Sequence, residues 1–270
     1  TNWQEEIYRK TDFVDNNVSL RGNLFNTIPS RLTIGNTYQE GLRLTNQFNR
    51  TTAGLVLNPS FLNDHLKLRL NANYANEKNR FAEGVEGSAL RFDPTQPVYD
   101  ATSIYGGFFE YYNPATGEPN AQVVNNPVAQ LLLTNDNGIN NRFYGNFELD
   151  YKFHFFPSVR AVVNVGFDEA NGERTKYVGA NTVSSIKLYD TSSKFTGMSG
   201  TNEYSESMRK NKLLDAYLVY NKTFNKLVFD ATAGYSYQKW DANQYLTGNI
   251  KDPNLPTGLT GFPKYNIEYD

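Results

Sequence analysis

The sequence predicts an all-β protein, an antiparallel up-and-down transmembrane β-barrel of which this chain supplies a partial wall. Three observations predict it. Apolar and polar residues alternate with a period of two in segment after segment, the signature of strands with one greasy and one wet face. Short turns and long connections alternate strictly, which in an up-and-down sheet sends all short turns to one end and all long loops to the other, as in outer-membrane barrels. The 270 residues include 19 Tyr, 18 Phe and 34 Asn at a mean hydropathy of −0.60. Disorder goes with few aromatics, so the low hydropathy points to polar loops and a half-polar sheet.

Eight segments carry the alternation. Val18–Leu24, Leu32–Tyr38 and Thr51–Leu57 are the first three, and in the fourth Leu66, Leu68, Leu70, Ala72 and Tyr74 oppose Lys67, Arg69, Asn71 and Asn73. The clearest runs from Phe143 to Phe155, where Phe143, Gly145, Phe147, Leu149, Tyr151, Phe153 and Phe155 face one way. Tyr144, Asn146, Glu148, Asp150, Lys152 and His154 face the other. Val159–Asp168, Leu213–Phe224 and Leu227–Gln238 complete the set. Several of these reach the roughly 9 to 11 residues that a tilted strand needs to cross a bilayer. Aromatics gather near strand ends, as an interfacial girdle requires, at Tyr151, Phe153, Phe155, Tyr235, Tyr237 and Trp240.

The connections fall into two kinds. Residues 27–30, 58–64, 156–158 and 225–226 are short and rich in turn formers. About 39–47, about 79–140, about 171–207 and everything after about 243 are long. Eight strands close some small barrels, whose interiors only side chains can fill. Here the longest loop is out of proportion to so narrow a cylinder, and the chain stops on a polar tail, Asn266–Asp270, so the sequence reads as part of a wider barrel. A large soluble β-sandwich with its apolar face in a core is the alternative.

Charge and composition exclude other classes. With 26 basic against 28 acidic side chains, the chain lacks the cationic surplus that drives nucleic-acid binding. Without Cys it holds no disulfide, thiolate metal site or thiol nucleophile. No run approaches the roughly 18 apolar residues of a membrane helix. The start at Thr1-Asn2-Trp3 carries no export signal, so the chain is expected to be unexported or an internal piece of a longer protein.

Catalytic constellations are weak. His65 and His154 read as solvated residues at a turn and a strand end, with no metal-ligand spacing. Gly197-Met198-Ser199-Gly200 misses the nucleophile elbow by one position. Glu148 and Asp150 resemble a carboxylate pair, but Lys152 and His154 continue their face, and with Asn146 they read as a hydrated lumen wall. Asp136-Asn137-Gly138, within 134–141, lacks the acidic spacing of a calcium loop and reads as a plain turn. No catalytic residue, metal site or cofactor is expected.

Particular words then resemble a known family. Trp3-Gln4-Glu5-Glu6-Ile7-Tyr8-Arg9-Lys10, Arg50-Thr51-Thr52-Ala53, the stretch from Leu57 to Lys67, Gly106-Gly107-Phe108-Phe109-Glu110-Tyr111, Asn126-Pro127-Val128-Ala129 and above all Arg91 to Asp100 resemble the SusC/RagA family of TonB-dependent outer-membrane transporters. The resemblance extends to about residue 168. It implies a barrel of about twenty-two strands with an N-terminal plug, an outer-membrane location in contact with lipid, a SusD-like surface lipoprotein as partner, and import of oligosaccharides or peptides powered through TonB. The plug and TonB box are not in this sequence, so transport is expected of the parent protein. A passive porin-like channel shares the strand pattern without needing either.

One loop draws attention in that setting. Tyr105, Phe108, Phe109, Tyr111 and Tyr112 surround Gly106 and Gly107, and their rings could pack on the loop itself, on the lipoprotein or on a substrate. Phe92, Pro94, Pro97 and Tyr99 read as a rigid brace, because proline fixes its own φ and restricts the residue before it.

Overall fold

Backbone pairing gathers the alternating segments into one sheet. The computed structural model describes residues 1–247 and 265–269, with 245–247 and 265–269 in backbone only. In chain order the elements are α1 (Trp3–Ile7), β1 (Phe13–Leu24), β2 (Ile28–Glu40), β3 (Gln47–Leu57), β4 (Ser60–Phe61), β5 (Leu66–Phe81), α2 (Glu86–Arg91), α3 (Pro127–Leu133), β6 (Thr134–Lys152), β7 (Val159–Val178), β8 (Ile186–Tyr189), β9 (Phe195–Ser199), β10 (Thr201–Phe224), β11 (Leu227–Thr247) and β12 (Tyr265–Tyr269). The sheet order is β1-β2-β3-β5-β6-β7-β10-β11-β12, with β4 a short addition to β5 and β8–β9 a separate hairpin. Every pairing is antiparallel. Among the described residues β1 and β12 do not pair, so the wall is open.

Register decides which residues share a face. Leu70 faces Phe147, which faces Val165, which faces Leu214, which faces Tyr237. This row belongs to an apolar belt that spans 143–151 on β6, 159–167 on β7 and 227–237 on β11. Beyond it the same face turns polar, with Asn141, Asn171 and Met208 in one row and Glu173 opposite Glu206 farther along. The strands continue regardless, β7 for 20 residues and β10 for 24, well past the roughly 9 to 11 that a bilayer needs.

All eight expected strands form, and each grows beyond its expected span at the long-loop end. The reason is that alternation shows only where one face is apolar; above the belt both faces are wet. Residues 134–141, expected as a turn, are the first part of β6, and the connections shrink to 41–46, 82–133 and 179–200. The short-turn end needs correcting too. Positive φ at Phe25 and Asn26 places the first hairpin turn there, so Pro29 lies inside β2 opposite Asn23. β6 stops at Lys152, leaving Phe153, His154 and Phe155 in the turn, where the His154 ring stacks on that of His65 at 4.0 Å. The tail expected at Asn266–Asp270 is a strand over its described part, since Tyr265–Tyr269 pairs with β11, and Asp270 lies outside the described residues.

A sandwich would bury its apolar face under a second sheet. Among the described residues no second sheet covers this one: Val18, Leu20, Leu227 and Tyr235 are each more than 60% exposed, and of the sheet's described hydrophobic residues only Val162 and Val178 are buried. The buried cluster lies at the long-loop end, where Trp3, Ile7, Val85, Ala89, Phe92, Val98, Phe108, Val128, Ala129 and Leu131 pack together.

Candidate functional site: the loop cap and the polar face

Residues 82–133 fold into a cap around one side chain, Asn126, which ties α3 to the stretches at Val98 and Phe109. Asn126 precedes Pro127 and the apolar run of α3, the residue pair that starts a helix: Asn at the N-cap, Pro at the first turn. Its Oδ1 accepts the N–H groups of Val128 at 3.0 Å and Ala129 at 3.2 Å, and its Nδ2 donates to the carbonyls of Val98 at 2.9 Å and Phe109 at 3.1 Å. Asn126 is wholly buried, so all four bonds form away from water. The Asn126 N–H in turn donates to the Glu110 carboxylate, which is itself buried. Burial pushes Glu110 up to about 7, against the downward pull of that N–H.

Around this centre the brace and the aromatics take their places. Phe92 is buried with its ring 4.5 Å from Trp3 and 6.0 Å from Tyr111. Pro94 and Pro97 are exposed on the bend between Phe92 and Val98. Asp93 closes that bend by accepting from the Thr95 hydroxyl at 2.7 Å and the Thr95 N–H at 2.8 Å, with Tyr111 donating to its other oxygen at 3.0 Å. These bonds, the Thr95 hydroxyl first, hold the carboxyl down at about 2. Tyr99 is exposed and leans on Phe108 at 5.1 Å. Tyr105 and Phe108 are buried, and Tyr105 donates its hydroxyl to the Gly117 carbonyl. Burial and the nearby Glu110 raise that phenol to about 12. Phe109, Tyr111 and Tyr112 are half-buried, Tyr112 against Tyr105 at 5.4 Å.

The cap is anchored to the sheet by ion pairs. Arg43, in the 41–46 connection, meets Glu86 on α2, and Lys176 on β7 meets Glu83 at 2.5 Å. Within the sheet beneath the cap, Arg174 on β7 grips Asp136 on β6 with two bonds of 2.7 and 2.6 Å, and Arg142 on β6 grips Asp168 on β7 likewise at 2.8 and 2.6 Å. None of these partners is visible before the register is known. Asn126 is different: its Asn-Pro pair before an apolar run is a signal legible in the sequence.

The second surface is the polar face of the sheet. Asn71 donates to Asn146 at 2.8 Å, and Asn146 donates to Asn164 at 2.9 Å, a ladder across three strands. Glu148 pairs with Arg69 on β5 at 3.1 Å and Asp150 with Arg160 on β7 at 2.6 Å, so each carboxylate is tied to a neighbouring strand. Lys152 is exposed at the strand end, its carbonyl accepting His65 Nδ1 at 2.8 Å. Higher on the same face a hollow of about 950 Å³ is bounded by β5, β6, β7, β10 and β11, with Asn140, Arg142, Arg209 and Trp240 among its walls. A cavity framed by five neighbouring strands means that the polar face is the concave one.

A single sheet with an apolar belt outside and a polar concave face inside is the wall of a transmembrane β-barrel. No family model matches the chain. The TonB-dependent receptor SusC of Bacteroides thetaiotaomicron is 34% identical over 262 residues, 92% of this chain and 25% of that protein. The TonB-dependent receptor P26 of Formosa agariphila is 30% identical over 115 residues, covering 42% of this chain and 11% of its own length. Among solved structures, the RagAB peptide importer in its closed-closed state superposes with a TM-score of 0.73 over 99% of this chain and 30% of that one, at 16% identity. Its open-open state gives 0.69 over 98% and 29%, at 14% identity. The chain belongs to the SusC/RagA family of TonB-dependent receptors. It spans about a quarter of the length of its SusC relative.

Proposed function

We propose that this chain is a section of wall, lumen lining and extracellular cap in an outer-membrane importer energised through TonB. The observation that carries the reading is the belt: an apolar outward face about as tall as one bilayer crossing, backed by a hydrated, ion-paired concave face and crowned by a folded cap at one end only. Short turns then lie in the periplasm, and residues 82–133 stand at the outer mouth. A SusD-like surface lipoprotein would cover that mouth, and Tyr99, the exposed aromatic of the brace, is the ring offered to it. The cargo is an oligosaccharide or a peptide. The RagAB neighbours, named as a peptide importer, support the second, and exposed aromatic and Asn-rich surfaces suit either.

The test is fractionation of native membranes with an antibody raised against 82–133, followed by mass spectrometry of what co-purifies and uptake assays in a deletion strain. An outer-membrane band much larger than 30.7 kDa, bound to a surface lipoprotein and required for energised uptake, supports the proposal. A soluble band ends it. Uptake that persists without TonB would instead make the parent a passive channel.

A further inference from the structure

We infer that Trp240 and the amide pair Asn211 and Gln238 form a subsite on the lumen wall, below the cap, that binds a pyranose ring of an oligosaccharide in transit. The inference deepens the importer reading above and rests on it. Trp240 does not stand in the interfacial girdle expected for it. Register sets it in a row with Asn211, Asp168, Tyr144 and Asn73 on the polar concave face, whereas Tyr237, three residues away, shares the outward row of Leu214. β12 places Tyr269 in the same inward row. The indole is 53% exposed, and among the described residues it has no ring partner and its N–H has no acceptor. Covering so large a ring is favourable for a ligand with an apolar face.

The groups around the ring select that ligand. Gln238 Nε2 donates to Asn211 Oδ1 at 3.2 Å, which leaves Asn211 Nδ2 as a donor and Gln238 Oε1 as an acceptor beside the indole. A sugar hydroxyl both donates and accepts, so it matches the pair. Arg209 lies diagonal to Trp240, about 7–8 Å away across the strands. Arg142 and Arg174 are held by Asp168 and Asp136, and among the described residues exposed Arg209 has no ion pair, so its guanidinium can donate to ring and hydroxyl oxygens. Room comes from small residues. Gly138, Ala170 and Gly172 line the hollow of about 950 Å³, within the roughly 300–1,000 Å³ of ligand sites.

The backbone decides against a peptide. At this level β10 is paired on both edges, with β7 and β11, and β11 with β10 and β12. Their N–H and C=O groups are committed to the ladder, and an extended peptide, which docks on a sheet through main-chain bonds at a free edge, finds no such edge here. A sugar needs none, because its C–H face stacks on the ring and its hydroxyls meet side chains.

The test uses the outer-membrane protein that carries this chain, purified in mild detergent with 5-fluorotryptophan in place of tryptophan. The fluorine resonance of position 240 is assigned by its loss in Trp240→Tyr. The probes are linear hexasaccharides of glucose, of mannose and of galactose, and a mixture of hexapeptides of random sequence. The resonance should shift with a hexasaccharide and stay in place with the peptides. By calorimetry, Trp240→Ala should weaken binding of that hexasaccharide about tenfold, and Trp240→Tyr by about threefold at most. Gln238→Leu, which keeps the ring and removes the acceptor, should weaken it roughly fivefold. A resonance that no hexasaccharide moves overturns the subsite, as does equal binding by the wild type and Trp240→Ala. A resonance moved by the peptides alone overturns the sugar assignment. The importer reading fails separately: hexasaccharide binding at Trp240 without TonB-dependent uptake ends that reading and supports the subsite. Heat-modifiable migration on gels verifies that each variant has folded.

Discussion

The backbone N–H of Asn126 donates to both carboxylate oxygens of Glu110, each at 3.1 Å, inside the cap. Among the described residues Glu110 has no ion-pair partner, and burial lifts its carboxyl from an ordinary 4.5 to about 7. The folded cap therefore holds the proton more tightly than the opened cap does. Its stability is greatest below the unfolded value and falls as pH rises through 4.5 to about 7, by about 3 kcal/mol in all. Protease cleavage within 82–133 is expected to be faster at pH 8 than at pH 5. Glu110→Gln should flatten that profile, and a wild-type cap equally resistant at both pH values would contradict the account.

Phe92 should matter far more than the prolines that follow it. Its ring fills the space between Trp3, Phe109 and Tyr111, so Phe92→Ala leaves a cavity worth about 3–5 kcal/mol of cap stability. Pro94 and Pro97 are exposed, and replacing either with Ala should cost only the roughly 0.4–1 kcal/mol of lost chain restriction. Amide exchange across α2 and α3 would rank the three variants. Equal effects would mean that the bend, and not the ring, holds the cap.

How much of this was legible beforehand follows from what each residue borders. Where one face of a strand meets lipid, as from Phe143 to Tyr151, the alternation is plain. In 134–141 and 201–212 polar residues point both ways, and nothing in the local sequence separates a protruding strand from a loop. The cap's aromatic content was visible, but its order was not, because Trp3 reaches Phe92 and Glu110 reaches Asn126 only through the tertiary fold. The Arg174–Asp136 grip likewise exists only once β6 and β7 are in register.

Gly145 marks a place where two backbones meet too closely for any side chain. A Cβ built there would lie 2.0 Å from the Asn71 carbonyl oxygen on β5. Gly145→Val should force β5 and β6 apart in mid-belt and abolish the heat-modifiable folded band of the assembled protein. Gly22, on β1, has nothing within 4 Å of the same position, so Gly22→Ala should assemble normally. Normal assembly of both variants would show that the β5–β6 contact yields easily.

The belt itself can be located with one arginine moved along one strand. Val163 and Asn171 lie on the same outward face of β7, Val163 between Leu149 and Ala216, Asn171 between Asn141 and Met208. An arginine at the bilayer midplane of a barrel costs about 2–4 kcal/mol and near the interface about 0–1. Val163→Arg should therefore destabilise the protein in lipid vesicles by about 1–4 kcal/mol more than Asn171→Arg, as read from urea unfolding of the two variants side by side. In detergent micelles, where the apolar layer adapts around a charge, the gap should narrow. Equal costs in vesicles would mean that the apolar rows of β7 do not face lipid, and the membrane placement of the whole wall would fall with them.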